Sequence, residues 1–370
     1  MRKQLLILTK VWSWVFLGAM LIFFSITGTG FFSLRNSQNI LVAITPVLLM
    51  GLGQTFVIIA GGIDLSVGWV MGLASVTSAL VIRGLADGGT SVVVAILVGF
   101  LAGIAFAAFF GLVNGVIIAK LRAPPFIVTL GLSFVARGTA LLLSGGNVVG
   151  RLPKKVRDFG NESLLYYLRG EGLFFNKPDV TGVQLRGLDR ILPWPVMVTI
   201  VLVAIAIFVL RKTQFGRHTY AIGGSREAAL RAGIPIDRHT ILLYIMSGLT
   251  VGVAGVLHTA RFSGGSSIAG DPLLLPSIAA VIIGGVSLFG GKGTVAGTVV
   301  GALIIAVLQT GLIMLNVRPF WQFVVVGIVV IMAVLTDQAR DLILGQVSMS
   351  NGRTESLFKR AIARSTLWKR

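Results

Sequence analysis

Charged side chains vanish from this chain over long stretches, and they do so repeatedly. No Asp, Glu, Lys or Arg occurs in 11–34, 36–63, 65–82, 88–119, 191–210, 240–260, 293–317 or 319–336. A bilayer core of about 30 Å needs roughly 20 apolar residues to be crossed by a helix. Within hydrocarbon each backbone N–H and C=O must find its partner inside the segment, so such a run has to be helical. The chain therefore reads as an all-α, polytopic integral membrane protein.

The runs resolve into about ten transmembrane helices, at 13–33, 40–60, 65–83, 92–119, 124–144, 193–210, 241–260, 274–290, 294–315 and 319–336. The first is too long for a signal-peptide core and no small-x-small cleavage pattern closes it, so it reads as retained. The eighth, 274–290, is the weakest, because Gly284-Gly285 and Gly290-Gly291 interrupt its end; a broken or partly re-entrant helix is the alternative there. Lys and Arg gather in alternate short loops, which by the positive-inside rule places both termini in the cytoplasm. The transmembrane domain occupies 1–336, with a polar external loop at about 145–192, a cytoplasmic segment at about 211–240, and a basic cytoplasmic tail at 337–370 that can rest on anionic membrane lipid. One short helix is expected in the external loop, around 162–169.

Lys and Arg outnumber Asp and Glu by 32 to 13, a net charge of +19. In a soluble domain that excess would raise the question of nucleic acid; here basic loops between apolar spans account for it, and no nucleic-acid partner is expected. The chain has no Cys, which excludes disulfides, thiolate metal sites and a cysteine nucleophile. No cofactor and no metal is expected. His218 and His239 read as loop residues and His258 lies near an external helix end; none stands at metal-ligand spacing. Gly290-Gly-Lys-Gly-Thr294 fails as a phosphate loop, since Val286 stands where its first glycine belongs and Gly293 follows the lysine where Ser or Thr is required.

A few polar residues stand out against the apolar background. Asp64, in Gly61-Gly-Ile-Asp-Leu-Ser66, falls between two spans. It reads either as a cap of the third helix with help from Ser66, or as a transport residue. Asn114 and Gln309 lie inside apolar helices, where they can hydrogen-bond to a neighbouring helix or line a conduit. Arg137, in the fifth span, is expected near the outer interface, where its stem can snorkel. Gly111-x-x-x-Gly115 and Gly297-x-x-x-Gly301 are close-packing motifs. On the cytoplasmic side Ser225, Arg226, Glu227, Ala228 and Ala229 begin a short helix, with Ser225 as N-cap and Gly233 as its stop. So short a helix is marginal alone and needs something to pack against. A weak internal similarity links 59–65 with 282–288 and 111–118 with 297–304, at different offsets.

Five segments then occur in a telling order: Gly61-Gly-Ile-Asp-Leu-Ser-Val-Gly68; Gly111-Leu-Val-Asn-Gly115; Phe126-Ile-Val-Thr-Leu-Gly131 with Arg137-Gly138; Phe215-Gly-Arg through Ala221-Ile-Gly-Gly224; and Ile282-Ile-Gly-Gly-Val-Ser-Leu-Phe-Gly-Gly-Lys-Gly-Thr294. Together, over about 40–336, the chain resembles the permease subunit of ribose-type monosaccharide ABC importers, in a wider family that includes branched-chain amino acid and nucleoside permeases. The resemblance implies the ABC importer permease fold in a bacterial inner membrane and a pair of permease chains, identical or paralogous. It also implies ATP hydrolysis on a separate ATPase subunit and delivery of the sugar by a periplasmic or surface binding protein. It assigns Ser225 to Gly233 to the coupling helix that docks on the ATPase, and gives this chain no covalent chemistry of its own. An amino-acid or nucleoside permease and an ion-coupled secondary transporter are the competing readings. The external loop is longer than in the simplest members and could rest against the binding protein or occlude the outer mouth.

Overall fold

The computed structural model describes residues 2–179, 187–318, 320–329, 331, 332 and 335. The basic tail at 337–370 lies outside the described residues. The chain runs α1 (Arg2–Thr27), α2 (Leu34–Ile59), α3 (Val67–Asp87), α4 (Val92–Lys120), α5 (Pro125–Ser144), α6 (Lys154–Asn161), β1 (Ser163–Leu168), β2 (Gly172–Phe175), β3 (Leu188–Pro193), α7 (Trp194–Lys212), α8 (Gln214–Gly224), α9 (Arg226–Arg231), α10 (Ile236–Phe262), α11 (Leu274–Ile283) and α12 (Val295–Met314). A further apolar helix, α13, spans Phe320–Val329.

Seven of the described helices are long and apolar enough to cross a bilayer: α2, α3, α4, α5, α7, α10 and α12. The expected first, eighth and tenth spans appear as shorter apolar helices at Ser13–Thr27, Asp271–Ile283 and Phe320–Val329. The eighth stops at Ile283, where its glycines begin, and an irregular stretch also precedes it. After α10 the backbone is non-helical over 263–270 and doubles back along α3: Gly265 lies against Ser75 and Val76, Gly270 against Gly68. A single-turn 3-10 helix, Asp271–Leu273, then leads into α11. Irregular backbone survives at such depth only where protein satisfies it. Here the Ser266 N–H donates to Ser75 Oγ (3.1 Å), and Gly265 pairs with Val149.

Glycine and small side chains let the helices meet backbone to backbone. A Cβ at Gly111 would overlap the Tyr244 carbonyl and one at Gly115 would sit 2.7 Å from Ile241 Cα; from the other side Gly252 faces Ile104 Cα at 2.8 Å. The α4–α10 crossing is thus built from both helices. Gly297 and Gly301 play the same part, against the carbonyls of Gly284 and Ala280. In lipid, where apolar burial gives little drive for helix association, this close van der Waals approach is the main attraction. Both close-packing motifs read from the sequence do what their spacing implied.

The segment 145–193 corrects the sequence expectation. Residues 163–168 form strand β1, not a helix, and the short helix lies just before it, at Lys154–Asn161. The run Leu164-Leu-Tyr-Tyr-Leu168 favours a pleated surface, and Arg169-Gly-Glu-Gly172 supplies the turn, with φ of +94° at Gly170 and +100° at Gly172. The sheet is antiparallel, in the order β2-β1-β3. Buried Tyr166 accepts the Ser163 N–H through its phenol oxygen (2.9 Å), and Asn161 Nδ2 donates to the Arg261 carbonyl (2.9 Å), which anchors the module on α10.

His218 and His239 also depart from expectation, since both are helical. His239 is buried in the first turn of α10, with Nε2 2.9 Å from Thr219 Oγ1 of α8, and its ring lies 5.9 Å from that of His218. Helix pinning explains this pair. Among the described residues no three metal-ligating side chains come together.

Candidate functional site

Depth along the bundle is set by α10. From Asp237, ion-paired with Lys120 (3.3 Å), to Arg261 the helix rises about 36 Å at 1.5 Å per residue. That matches a hydrocarbon core of about 30 Å with its margins. Ser247 stands near the middle of this length, and to it comes the return loop between α2 and α3.

The loop carries Asp64, 1% exposed. Its Oδ1 accepts from the Ser66 backbone N–H (3.0 Å) and from Ser66 Oγ (2.6 Å), and its Oδ2 accepts from Ser247 Oγ (2.8 Å). Asn114 of α4 donates Nδ2 to Ser66 Oγ (2.9 Å). Gln54 of α2 donates Nε2 to the Asp64 carbonyl, and Tyr244 Oη donates to the Ile63 carbonyl (3.3 Å). Of the polar residues singled out from sequence, Asp64, Ser66 and Asn114 therefore meet in one network, joined by Gln54, Ser247 and Tyr244. All are fully enclosed, and the network ties α2, α3, α4 and α10 together. Ser66 is the N-cap of α3 without a side-chain cap bond; Asp64 gives cap-like support through the Ser66 N–H and spends its second oxygen on α10. The missed members are uncharged. Gln54 could have been found as Asn114 was, as an amide inside an apolar helix; the serine and tyrosine carry no such signal.

Arg137 and Gln309 are elsewhere. Arg137 of α5 packs against α3. Its guanidinium lies over the Trp69 ring, 4.6 Å from the centroid, in the first turn of α3. That is about 20 Å along α3 from Arg83, at 1.5 Å per residue. The side chain is solvent-exposed on an α5 face that also shows Phe134 and Val135. A charge facing lipid at such depth costs on the order of 3 kcal/mol, so this face is turned to protein or water. Gln309 lines a cavity of about 550 Å³ with Asp271, Gln322, Leu275, Pro276 and Phe323.

At the opposite end from Arg261, α8 and α9 form a small unit. Ser225 Oγ accepts the Ala228 N–H (3.3 Å), Ala229 is buried against Ile222 and Ile236, and Gly233 turns the chain with φ +78°. Arg226, Glu227, Ala228 and Leu230 are exposed. Glu227 and Arg231 pair at 2.6 Å, but so exposed a pair adds little stability. The unit is tied to the transmembrane core at the 284–294 turn. Tyr220 Oη donates to the Gly293 carbonyl (2.6 Å), and the Gly291 N–H donates to the Ile59 carbonyl (2.8 Å) where Gly223 packs. Burial pushes the Tyr220 phenol above its ordinary pKa, so it remains a donor at physiological pH. The amide of Gly291 is thus spent on protein, and Thr294 caps α12 through the Gly297 N–H (3.0 Å). These bonds fasten the turn to α2, α8 and α12.

These features describe a multi-pass helical protein with buried polar groups and an exposed short helix at one end, and comparison with known proteins places it among membrane transport proteins. The chain is a member of the family described as branched-chain amino acid transport system / permease component, which matches residues 36–334. Among its relatives, the ribose import permease protein of Bacillus subtilis is 35% identical over 90% of this chain and 94% of that protein. The xylose transport system permease protein of Haemophilus influenzae is 34% identical over 85% of this chain and 92% of its own length. The L-arabinose ABC transporter permease protein of Azospirillum brasilense is 35% identical, over 85% and 84%. No solved structure matches the chain.

Proposed function

We propose that this chain is the membrane-spanning permease subunit of an ATP-driven ABC importer and forms the path for a monosaccharide. The carrying observation is its similarity, over nearly its whole length, to relatives named for ribose, xylose and L-arabinose. A branched-chain amino acid permease is the second reading, kept because the family's own description names that substrate.

The arrangement supports ten membrane passes with both ends cytoplasmic: the seven long helices, α1, the broken element ending in α11, and α13. In this frame Ser225 to Gly233 is the coupling helix. Its exposed Arg226, Glu227, Ala228 and Leu230 face a separate ATPase subunit, and α8 links it through Tyr220 and Gly293 to the turn after α11. Motion of the coupling helix would reach the broken span by that route. A second permease chain completes the conduit against the α5 face that carries Arg137. The external module of α6 and the three strands sits where a binding protein delivers sugar.

Uptake of labelled ribose, xylose and arabinose is to be measured in proteoliposomes holding the chain, its ATPase and its binding protein. ATP-driven uptake that requires all three is the expected result. Uptake driven by an ion gradient without the ATPase would replace this reading with secondary transport.

A further inference from the structure

We infer that Asp271, Gln309 and Gln322 form a binding subsite for a neutral polyhydroxylated solute on the wall of the conduit, at the start of the broken span. The inference deepens the permease reading above and rests on it.

Asp271 opens the single helical turn before α11. Its neighbour Gly270 packs against Gly68 in the first turn of α3, the turn that also holds Trp69 beneath Arg137. Asp271 is therefore well inside the apolar length of the bundle, yet its side chain is exposed, and among the described residues nothing hydrogen-bonds or ion-pairs with its carboxylate. A carboxylate cannot be left against lipid there, so water or solute must reach it. The cavity beside it, about 550 Å³, is large enough for a hydrated monosaccharide.

The chemistry of the wall selects the solute. Asp271 accepts hydroxyl protons; Gln309 and Gln322 each offer both a donor and an acceptor. Phe323 and Pro276 supply the apolar surface on which a sugar ring's C–H face rests. Among the described residues no Lys, Arg or His lines the cavity. An amino acid would bring a carboxylate with no cation to meet it, next to the Asp271 carboxylate. A sugar has many hydroxyls and no charge, and fits without an unpaired ion. A broken helix whose end faces a cavity within the membrane is a recurrent way to place such groups beside a transported solute.

The native chain has no cysteine, so a single introduced thiol reports the site. Leu275→Cys, which keeps Asp271, is to be labelled in the assembled complex with a charged, membrane-impermeant methanethiosulfonate. Labelling that is slowed several-fold by xylose, ribose or arabinose but not by leucine is expected, and the protection should vanish in Leu275→Cys/Asp271→Asn. No labelling, equal rates with and without sugar, or protection that survives Asp271→Asn would overturn the subsite. Labelling does not depend on turnover, so it decides the site whatever drives transport. In parallel, Asp271→Asn should lower ATP-driven uptake about tenfold, the loss of one charge-assisted hydrogen bond. Wild-type uptake in that variant would also refute the subsite, whereas ATPase-independent uptake by the unmutated chain would refute the permease reading instead.

Discussion

Replacing Asp64 by Leu removes the acceptor of three enclosed hydrogen bonds, from Ser66 N–H, Ser66 Oγ and Ser247 Oγ. Side-chain hydrogen bonds between membrane helices average about 0.6 kcal/mol. A typical net bond in folded proteins reaches about 1.5 kcal/mol. The loss then amounts to roughly 2 to 4.5 kcal/mol, with the buried Ser66 N–H left unpaired at the upper end. Asp64→Asn keeps the carbonyl toward Ser66 and turns an amide toward Ser247, whose hydroxyl can rotate to accept it. That variant and Ser247→Ala should each cost only about 1 kcal/mol. Thermal unfolding of the purified complex in nanodiscs, followed by loss of the monodisperse size-exclusion peak, gives the ranking. Wild type should be most stable, Asp64→Asn and Ser247→Ala next, and Asp64→Leu least. The reasoning fails if Asp64→Leu unfolds with wild type, or if Asp64→Asn is stable but loses all transport, which would make Asp64 a transport residue and not a tie between helices.

Gly111→Leu should prevent α4 from seating on α10, at a cost above the usual 1–3 kcal/mol of overpacking because the obstacle is backbone; the folded yield in membranes reports it, and normal yield would contradict the packing. Tyr220→Phe deletes the bond to Gly293 and should leave ATPase binding intact while sugar moved per ATP falls severalfold; an unchanged ratio would remove Tyr220 from the coupling route. Deleting 170–186 should spare folding, because Arg169 N–H already reaches the Gly187 carbonyl (3.2 Å) and β1 pairs directly with β3. The truncated complex should need more binding protein for half-maximal uptake, and an unshifted titration would show that β2 takes no part in delivery.

The fold was legible wherever one physical constraint acted alone. Hydrocarbon tolerates no charge and no open backbone, so the long spans and the glycine crossings at Gly111 and Gly297 could be read from residue type and spacing. Reading failed where tertiary satisfaction replaced local rules. The segment 263–270 lacks helical pairing, yet it runs deep in the bundle because Ser75 and Val149 supply its partners; nothing local announces that. Tyr166 and its neighbours form a strand because a glycine turn follows them and β2 and β3 pair on either side. Asp64, Ser66 and Asn114 could each be noticed, but their meeting depends on a return loop reaching the middle of α10. Asp271 gave no signal, because its position near the end of a loop between two apolar runs hid the descent of the chain before it.

The central claim is that the chain moves sugar only when a separate ATPase drives it through α9. The most direct measurement is ATP-driven sugar accumulation in proteoliposomes containing the permease, its ATPase and its binding protein, with wild type beside Glu227→Arg. Glu227 is exposed and contributes little to folding, so the substitution inverts a charge on the proposed docking face and leaves the bundle intact. The account predicts accumulation with wild type, and with the variant loss of both accumulation and co-purifying ATPase. Full accumulation by the variant, or accumulation without any ATPase, would contradict it.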